Sequence, residues 1–295
     1  MLKGIFLKHI GMLIRTLILL IIAVIFLIPL VFTIADSFMS ESEIMASYGT
    51  VASSDTVRVF TADRYANLKL IPDMVSIKQY YTVLIKRLKF LLMFWNSVKL
   101  VLPIILGQTA VASMAAYAFS RLRFRGRDAL FFIYIIVMMM PFQVSLVPNY
   151  IIADKLGLIG NSLSIILPGI FGSFGVFLMR QFMAAIPDSY CESARVDGAG
   201  HWIIFARIVL PMTKAGIAAL LILLFADNWN MVEQPIIFLQ NANLQPLSLF
   251  LSEVNSGERG IAFAASTVYM APMLLIFLLG SDYLVQGIQL SGLKG

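Results

Sequence analysis

Any chemistry in this chain must come from a short roster of polar side chains set in apolar surroundings. Asp227, Asn228, Asn230 and Glu233 surround Trp229 in one apolar stretch, and Gln143 follows the Met138-Met139-Met140-Pro141 turn in another. Polar and ionisable groups inside such stretches are costly in lipid and usually face a bundle interior or an aqueous cavity. Amides offer hydrogen-bond donors and acceptors to a polar solute, and an aromatic face offers stacking. Gln143, Asn228, Trp229 and Asn230 supply those groups and are the candidate substrate-pathway residues. Singly, each is at least as well explained by hydrogen bonds that hold helices together.

Enzymatic signatures are missing. No G-x-x-x-x-G-K-[ST] phosphate loop occurs, so the chain cannot hydrolyse ATP by that machinery. His9 and His201 lack metal-like neighbours, and with Cys191 the only cysteine a zinc site is not expected. The serines near Asp and His form no hydrolase elbow. No catalytic, cofactor-binding or metal-ligating residue is assigned.

The most informative segment is a loop, roughly residues 183–213. Pro187 suits the first position of a helix, where its missing N–H would be unpaired anyway, and Asp188 in the first turn favours the helix dipole. The helix runs through SYCESARVD to Gly198, where the chain can turn with positive φ. A second short helix, His201 to Val209, is expected to end before Pro211, which opens the next apolar stretch. Helix, glycine turn and helix make a rigid knob.

The elements that carry these residues follow from composition. Of 295 residues, 60% are hydrophobic and 13% charged, with a mean hydropathy of +0.88. Soluble domains are roughly 45–50% apolar and about 25% charged, so the chain is a polytopic membrane protein. A net charge of +6 in such a chain reflects basic loops, and no nucleic acid is expected. A bilayer core needs about 20 apolar residues in helical form. Six runs qualify, at roughly 17–34, 97–119, 129–150, 162–182, 215–233 and 262–284. The first, preceded by Lys3, Lys8 and Arg15, is too long for a signal peptide and lacks an A-x-A site, so it reads as a retained span. Between the first two spans lies a polar extracytoplasmic segment, about 36–95, whose end, Tyr80 to Trp95, resembles a helix lying along the interface. A tail, 285–295, closes the chain. The fold is an all-α transmembrane bundle forming a single transmembrane domain, 1–295, with core spans over 97–284.

Orientation rests on basic residues in short loops. With both termini cytoplasmic, the inner side carries Lys3, Lys8, Arg15, the Arg121, Arg123, Arg125 and Arg127 run, Arg180, Arg195, Arg207, Lys214 and Lys294. The two short outer loops then carry only Lys155 and Arg259. The Arg121–Arg127 run needs no role beyond setting topology.

The loop reads Glu192-Ser193-Ala194, three residues, Gly198, nine residues, then Ile208-x-Leu210-Pro211. This resembles the E-A-A-x3-G-x9-I-x-L-P loop of permease subunits of binding-protein-dependent ABC importers, with Ser193 in place of the middle alanine. Further features look like the maltose-type carbohydrate permeases: Asn96-Ser97, Ala115-Ala116-Tyr117-Ala118-Phe119, the RLRFRGR stretch, Pro141 with Gln143 and Val144, Pro148, Trp229-Asn230 and the ending Gly292-Leu293-Lys294-Gly295. The likeness covers about residue 90 to the end. Residues 36–89 match weakly, and the fifth span departs, reading NWNMVEQP where an acidic residue commonly follows Trp-Asn.

The resemblance implies a type I ABC importer permease of a bacterial inner membrane, importing carbohydrate with a second permease subunit, two ATP-binding subunits and an extracytoplasmic solute-binding protein. ATP and Mg would be bound by the ATPase subunit, and no cofactor belongs to this chain. It implies that Glu192, Ser193, Ala194, Asp197, Gly198, Ile208, Leu210 and Pro211 form the ATPase-coupling element. In that reading Ser193 and Ala194 let a partner approach closely, Gly198 allows a sharp exit, and Glu192 meets a basic partner side chain. Alternatively Glu192 pairs with Arg195 on its own helix at i,i+3. The outer segment from about Gln240 to Gly260 is expected to contact the binding protein. The same machine carrying an amino acid, polyamine or phosphate ester, and less readily a stand-alone secondary transporter or membrane enzyme using Asp227 and Glu233, are the alternatives.

Overall fold

The computed structural model describes residues 2–52, 68–254 and 258–292, and all the regular structure among them is helical. Residues 53–67 of the extracytoplasmic segment, 255–257 of the outer segment and Leu293-Lys294-Gly295 of the tail lie outside the described residues. The chain divides into two compact units, Met1–Leu88 with Leu251–Met270, and Lys89–Phe250 with Ala271–Gly295.

The first unit begins with α1 (Leu2–Asp36), a helix longer than the expected span, whose apolar side chains from Met12 to Ile28 are almost all exposed. An all-round apolar surface of this kind is stable only against lipid or another membrane helix. Beyond Asp36 the chain folds back through α2 (Glu41–Ala52) under a set of side-chain hydrogen bonds. The Tyr48 hydroxyl donates to Asp36 Oδ2 at 2.6 Å, and Ser37 and Tyr80 share a hydrogen bond of 2.7 Å. The Gln79 amide donates to the Met39 carbonyl. Burial and its Asp36 acceptor push the Tyr48 phenol well above its ordinary range, so it stays a neutral donor at physiological pH. Arg259 donates to the Tyr48 carbonyl at 2.9 Å and Arg87 pairs with Glu258, which tie the start of α14 (Arg259–Gly292) into this unit.

The stretch expected as one interfacial helix, Tyr80 to Trp95, is not one. The helix α3 (Lys78–Tyr81) and a π turn, Thr82–Lys86, end at Arg87, whose backbone (φ −98°, ψ 78°) is not helical. From Leu88 onward the chain already belongs to α4 (Leu88–Arg121). The second span therefore starts nine residues earlier than expected: Phe90–Trp95 is apolar enough to be lipid-facing, and only the basic residues beside it, Lys86, Arg87 and Lys89, make it resemble an interfacial helix. Asn96 and Ser97, expected to open the span, are interior to α4 and buried.

In the second unit α4 packs against α7 (Leu163–Ile170) and α8 (Ser173–Ala184) at close range. A Cβ added at Gly107 would lie 2.7 Å from an Ile170 side-chain carbon, and one at Gly175 would lie 2.9 Å from Ala112 Cβ. Leu100 and Ile104 of α4 share a buried core with Ile165, Phe238 and Leu239. Small residues at such contacts let backbones approach, which is how membrane helices gain packing energy.

Among the described residues four helices are long and apolar enough to cross a bilayer, and up to six spans result if each of two bent pairs counts as one. The first bent pair is α5 (Arg127–Met138) and α6 (Phe142–Lys155), which meet at 99°. Pro141 disfavours a helical Met140, and its own extended backbone (φ −57°, ψ 137°) turns the chain. The second pair joins residues 201–212 to α12 (Lys214–Trp229) at 74°. Here α12 ends at Trp229, so the fifth span stops short of the expected residue 233, and Glu233 opens a separate short helix, α13 (Glu233–Phe238).

Candidate functional site

The knob is built as a helix with a glycine exit. α9 (Asp188–Val196) starts one residue later than expected, with Pro187 in an extended cap conformation (φ −59°, ψ 138°). At its end Gly198 has φ +81°. The Ala199 N–H donates to the Ala194 carbonyl at 2.9 Å and the Gly198 N–H to Arg195 at 3.0 Å. That pair of bonds is a Schellman motif, in which a left-handed residue closes the helix. The chain leaves through α10 (His201–Ile204), a π turn over Phe205–Val209 and α11 (Leu210–Met212). The helix therefore does not end before Pro211 but runs past it. A proline ring conflicts with the carbonyl four residues back, and the wider π turn just before Pro211 relieves that conflict. The break falls instead at Thr213, whose hydroxyl donates to the Val209 and Leu210 carbonyls at 3.0 and 3.2 Å.

The knob has an inner and an outer face. Cys191, Ala194, Ile204 and Phe205 are buried, so Ala194 packs inward and is not part of a surface that another protein could approach. Glu192, Ser193, Arg195 and Asp197 are exposed, with Val196 88% and Trp202 69% exposed beside them. Among the described residues no ion pair joins Glu192 to Arg195, so both charges are available. Ile208 and Leu210 are half-buried, and Pro211 is exposed.

The knob is fastened to α4 by residues that sequence reasoning passed over. The Arg121 guanidinium donates to the Asp188 carboxylate and to the Met183 and Ile186 carbonyls, and its side chain is only 4% exposed. One turn back, the Tyr117 hydroxyl lies 3.3 Å from His201 Nδ1, and its ring packs 5.2 Å from that of Phe205. A run of arginines at a span end is fully explained by topology, which is why Arg121 did not stand out.

The pathway candidates separate. Trp229 is 2% exposed, stacked on Phe225 at 5.1 Å and edge-on to Phe94 at 5.8 Å. Its faces are covered by protein, which corrects the expectation of an aromatic platform for a sugar. A cleft of about 980 Å³ opens among α4, α5, α6, α8 and α12, with Gln108, Tyr134, Asn149, Asp227, Asn228 and Gln234 among its lining. A second cleft of about 730 Å³ shares Asp227 and Asn228 with the first and adds Asn230 and Glu233. The Asn228 amide donates to the Leu224 carbonyl at 2.8 Å and the Asn230 amide to Ala226 at 2.7 Å. Gln143 is exposed and donates to both Glu233 carboxylate oxygens at 3.3 Å, bringing α6 and α13 together. Asn228, Asn230 and Gln143 thus lie at or beside open space, and Trp229 does not.

The segment after Leu239 is folded onto α4. Asn96 Nδ2 donates to the Asn243 and Gln245 carbonyls at 2.7 and 3.1 Å, and the Leu247 N–H donates to Ser97 Oγ at 2.8 Å. Leu247, Leu249 and Phe250 are buried.

Comparison with known proteins places this geometry. The profile of the family described as "Binding-protein-dependent transport system inner membrane component" matches residues 108–290. The arabinooligosaccharides transport system permease protein AraQ of Halalkalibacterium halodurans is 29% identical over 205 residues, 68% of this chain and 74% of that one. The lactose transport system permease protein LacG of Rhizobium radiobacter is 31% identical over 199 residues, 66% and 73% of the two chains. The sn-glycerol-3-phosphate transport system permease protein UgpE of Pectobacterium atrosepticum is 31% identical over 204 residues, 68% and 73%. Among solved structures, a bacterial ABC transporter involved in the import of the acidic polysaccharide alginate has a chain of the same fold. Its TM-score is 0.75 at 22% identity, covering 93% of this chain and 96% of that one.

Proposed function

Because the chain belongs to the family of binding-protein-dependent transport system inner membrane components, we propose that it is one of two membrane subunits of an ATP-driven carbohydrate importer, coupled to its ATPase through the Glu192–Gly198 knob. ATP is hydrolysed in two separate ATP-binding subunits, which hold the nucleotide and Mg. A solute-binding protein delivers the sugar from outside, and both termini of this chain face the cytoplasm.

One observation carries the coupling assignment: a rigid helix, closed by a Schellman turn, presents Glu192, Arg195 and Asp197, none of them ion-paired among the described residues, around exposed Val196 and Trp202. Exposed apolar side chains ringed by charge are what a protein interface needs. Glu192 is suited to a charge-assisted bond with a basic side chain of the ATPase. Ser193 and Asp197 belong to the docking face, and Gly198 shapes the exit. Ala194 is the inner anchor, while Ile208, Leu210 and Pro211 transmit movement to the bend at Thr213. ATP-driven closure of the ATPase pair pulls this lever, and Arg121 and Tyr117 pass the displacement to α4 and the clefts. A ligand shifts such an equilibrium only through its different affinity for the two states, so the contacts that change must lie at the knob and in the clefts.

Carbohydrate is favoured by the arabinooligosaccharide and lactose systems among the similar proteins and by the amide-lined clefts. Affinity purification of the tagged chain in mild detergent tests the assembly. A second permease and an ATP-binding protein are expected to accompany it. Recovery of this chain alone, with solute flux that needs no ATP, would replace the importer by a stand-alone transporter.

A further inference from the structure

The likeness to known permeases leaves the charge class of the cargo open, since a phosphate ester and an acidic polysaccharide are named for two of the similar systems. The two adjoining clefts bear on that choice. Asp227 lines both, is exposed, and among the described residues no cation pairs with it. Glu233 lines the smaller cleft, and among the described residues its oxygens are engaged only by the neutral amide of Gln143. Among the described residues lining either cleft, none is Lys, Arg or His. An ionisable group at membrane depth is tolerated where it faces water, and the field of an uncompensated charge is strongest in a cleft with low-dielectric walls.

We propose that the pathway holds a fixed negative potential that passes uncharged polyhydroxylated solutes and rejects anionic ones, with Asp227 and Glu233 as its specificity-determining residues. Carboxylate oxygens accept hydrogen bonds from neighbouring hydroxyls of a sugar, and these charge-assisted bonds are stronger than neutral ones. Asn228 and Gln234 add amide donors and acceptors on the same wall. A phosphate or carboxylate on the cargo would enter against two like charges with no basic side chain in the lining to offset them. The proposal rests on the reading of these clefts as the translocation pathway.

Thiol accessibility in the assembled transporter tests it without relying on what the binding protein selects. Met140→Cys and Ser145→Cys place thiols in the lining of the larger cleft, and the unsubstituted chain, whose single Cys191 is buried, is the blank. Reaction with a cationic and an anionic methanethiosulfonate is followed by mass on this chain. The cationic reagent is expected to gain about tenfold or more over the anionic one, relative to their ratio on a free thiol, as a potential of a few kT requires. Asp227→Asn with Glu233→Gln should remove most of that gain. Rapid reaction at the free-thiol ratio, unchanged by the double substitution, would overturn the charge filter and leave the pathway standing. No reaction at either position with either reagent would overturn the pathway reading itself.

Discussion

Arg121 and Asp188 join the C-terminal end of α4 to the first turn of α9, with the same guanidinium also bonded to the Met183 and Ile186 carbonyls. Three acceptors in different directions are met by one planar fork, a geometry that an ammonium cannot reproduce. On the proposed coupling, the exposed knob and the long span are expected to move as one piece. Arg121→Ala leaves two carbonyls without their donor, at about 1–3 kcal/mol for each group left unsatisfied. ATP hydrolysis in the reconstituted complex is expected to persist while uptake per ATP falls several-fold, with Arg121→Lys recovering only part of it. An unchanged uptake-to-hydrolysis ratio would remove Arg121 from the transmission path.

Gly198 supplies a backbone conformation and nothing else. Its φ is +81°, and a Cβ added there meets no atom within 4 Å. Left-handed geometry costs an L-residue about 1–2 kcal/mol, less for Asn than for Val. Uptake should fall in the order Gly198, Gly198→Asn, Gly198→Ala, Gly198→Val, with membrane insertion unaffected throughout. A Val variant as active as the Asn variant would show that the turn tolerates other shapes.

Trp229 behaves as core. Its stacking on Phe225 and edge contact with Phe94 mean that Trp229→Ala should destabilise the purified chain by about 3–5 kcal/mol, as large-to-small core changes do. Trp229→Phe is expected to restore most of both stability and uptake. A stable Trp229→Ala protein with selectively weakened sugar uptake would instead return Trp229 to the pathway.

Much of this organisation is legible in residue types and spacing, and the exceptions share a cause. The turn at Gly198 can be read because few residues tolerate positive φ, and a turn at Met138–Pro141 because proline follows three methionines, but the 129–150 run reads as one span where the structure bends it by 99°. Asn96 and Ser97 look like span-opening polar residues, yet their partners, Asn243, Gln245 and Leu247, are about 150 positions away. Trp229 could not be assigned from its type, because a sugar platform and a core aromatic use the same side chain. Arg121 was hidden by a topological rule that already accounts for basic span ends. In each case the local pattern is correct and the deciding contact is long-range.

Asn96 offers a further check. Its amide holds two carbonyls of the segment that precedes Leu247, so Asn96→Asp presents an acceptor where a donor is required. Cleavage of residues 240–250 by an added protease should accelerate in that variant by about tenfold, the effect of roughly 1.4 kcal/mol on local opening when cleavage follows the open population. Equal cleavage rates would mean that the segment is held mainly by its buried Leu247, Leu249 and Phe250.

The central claim is that the outer face of α9 seats the ATP-binding subunit, and Glu192→Lys tests it most directly. The substitution reverses one exposed charge that, among the described residues, makes no ion pair. Purified in mild detergent, the tagged Glu192→Lys chain should keep its partner permease and lose most of the ATP-binding protein. Recovery of the ATP-binding protein at the unsubstituted level, with uptake intact, would contradict the assignment of this helix as the coupling element.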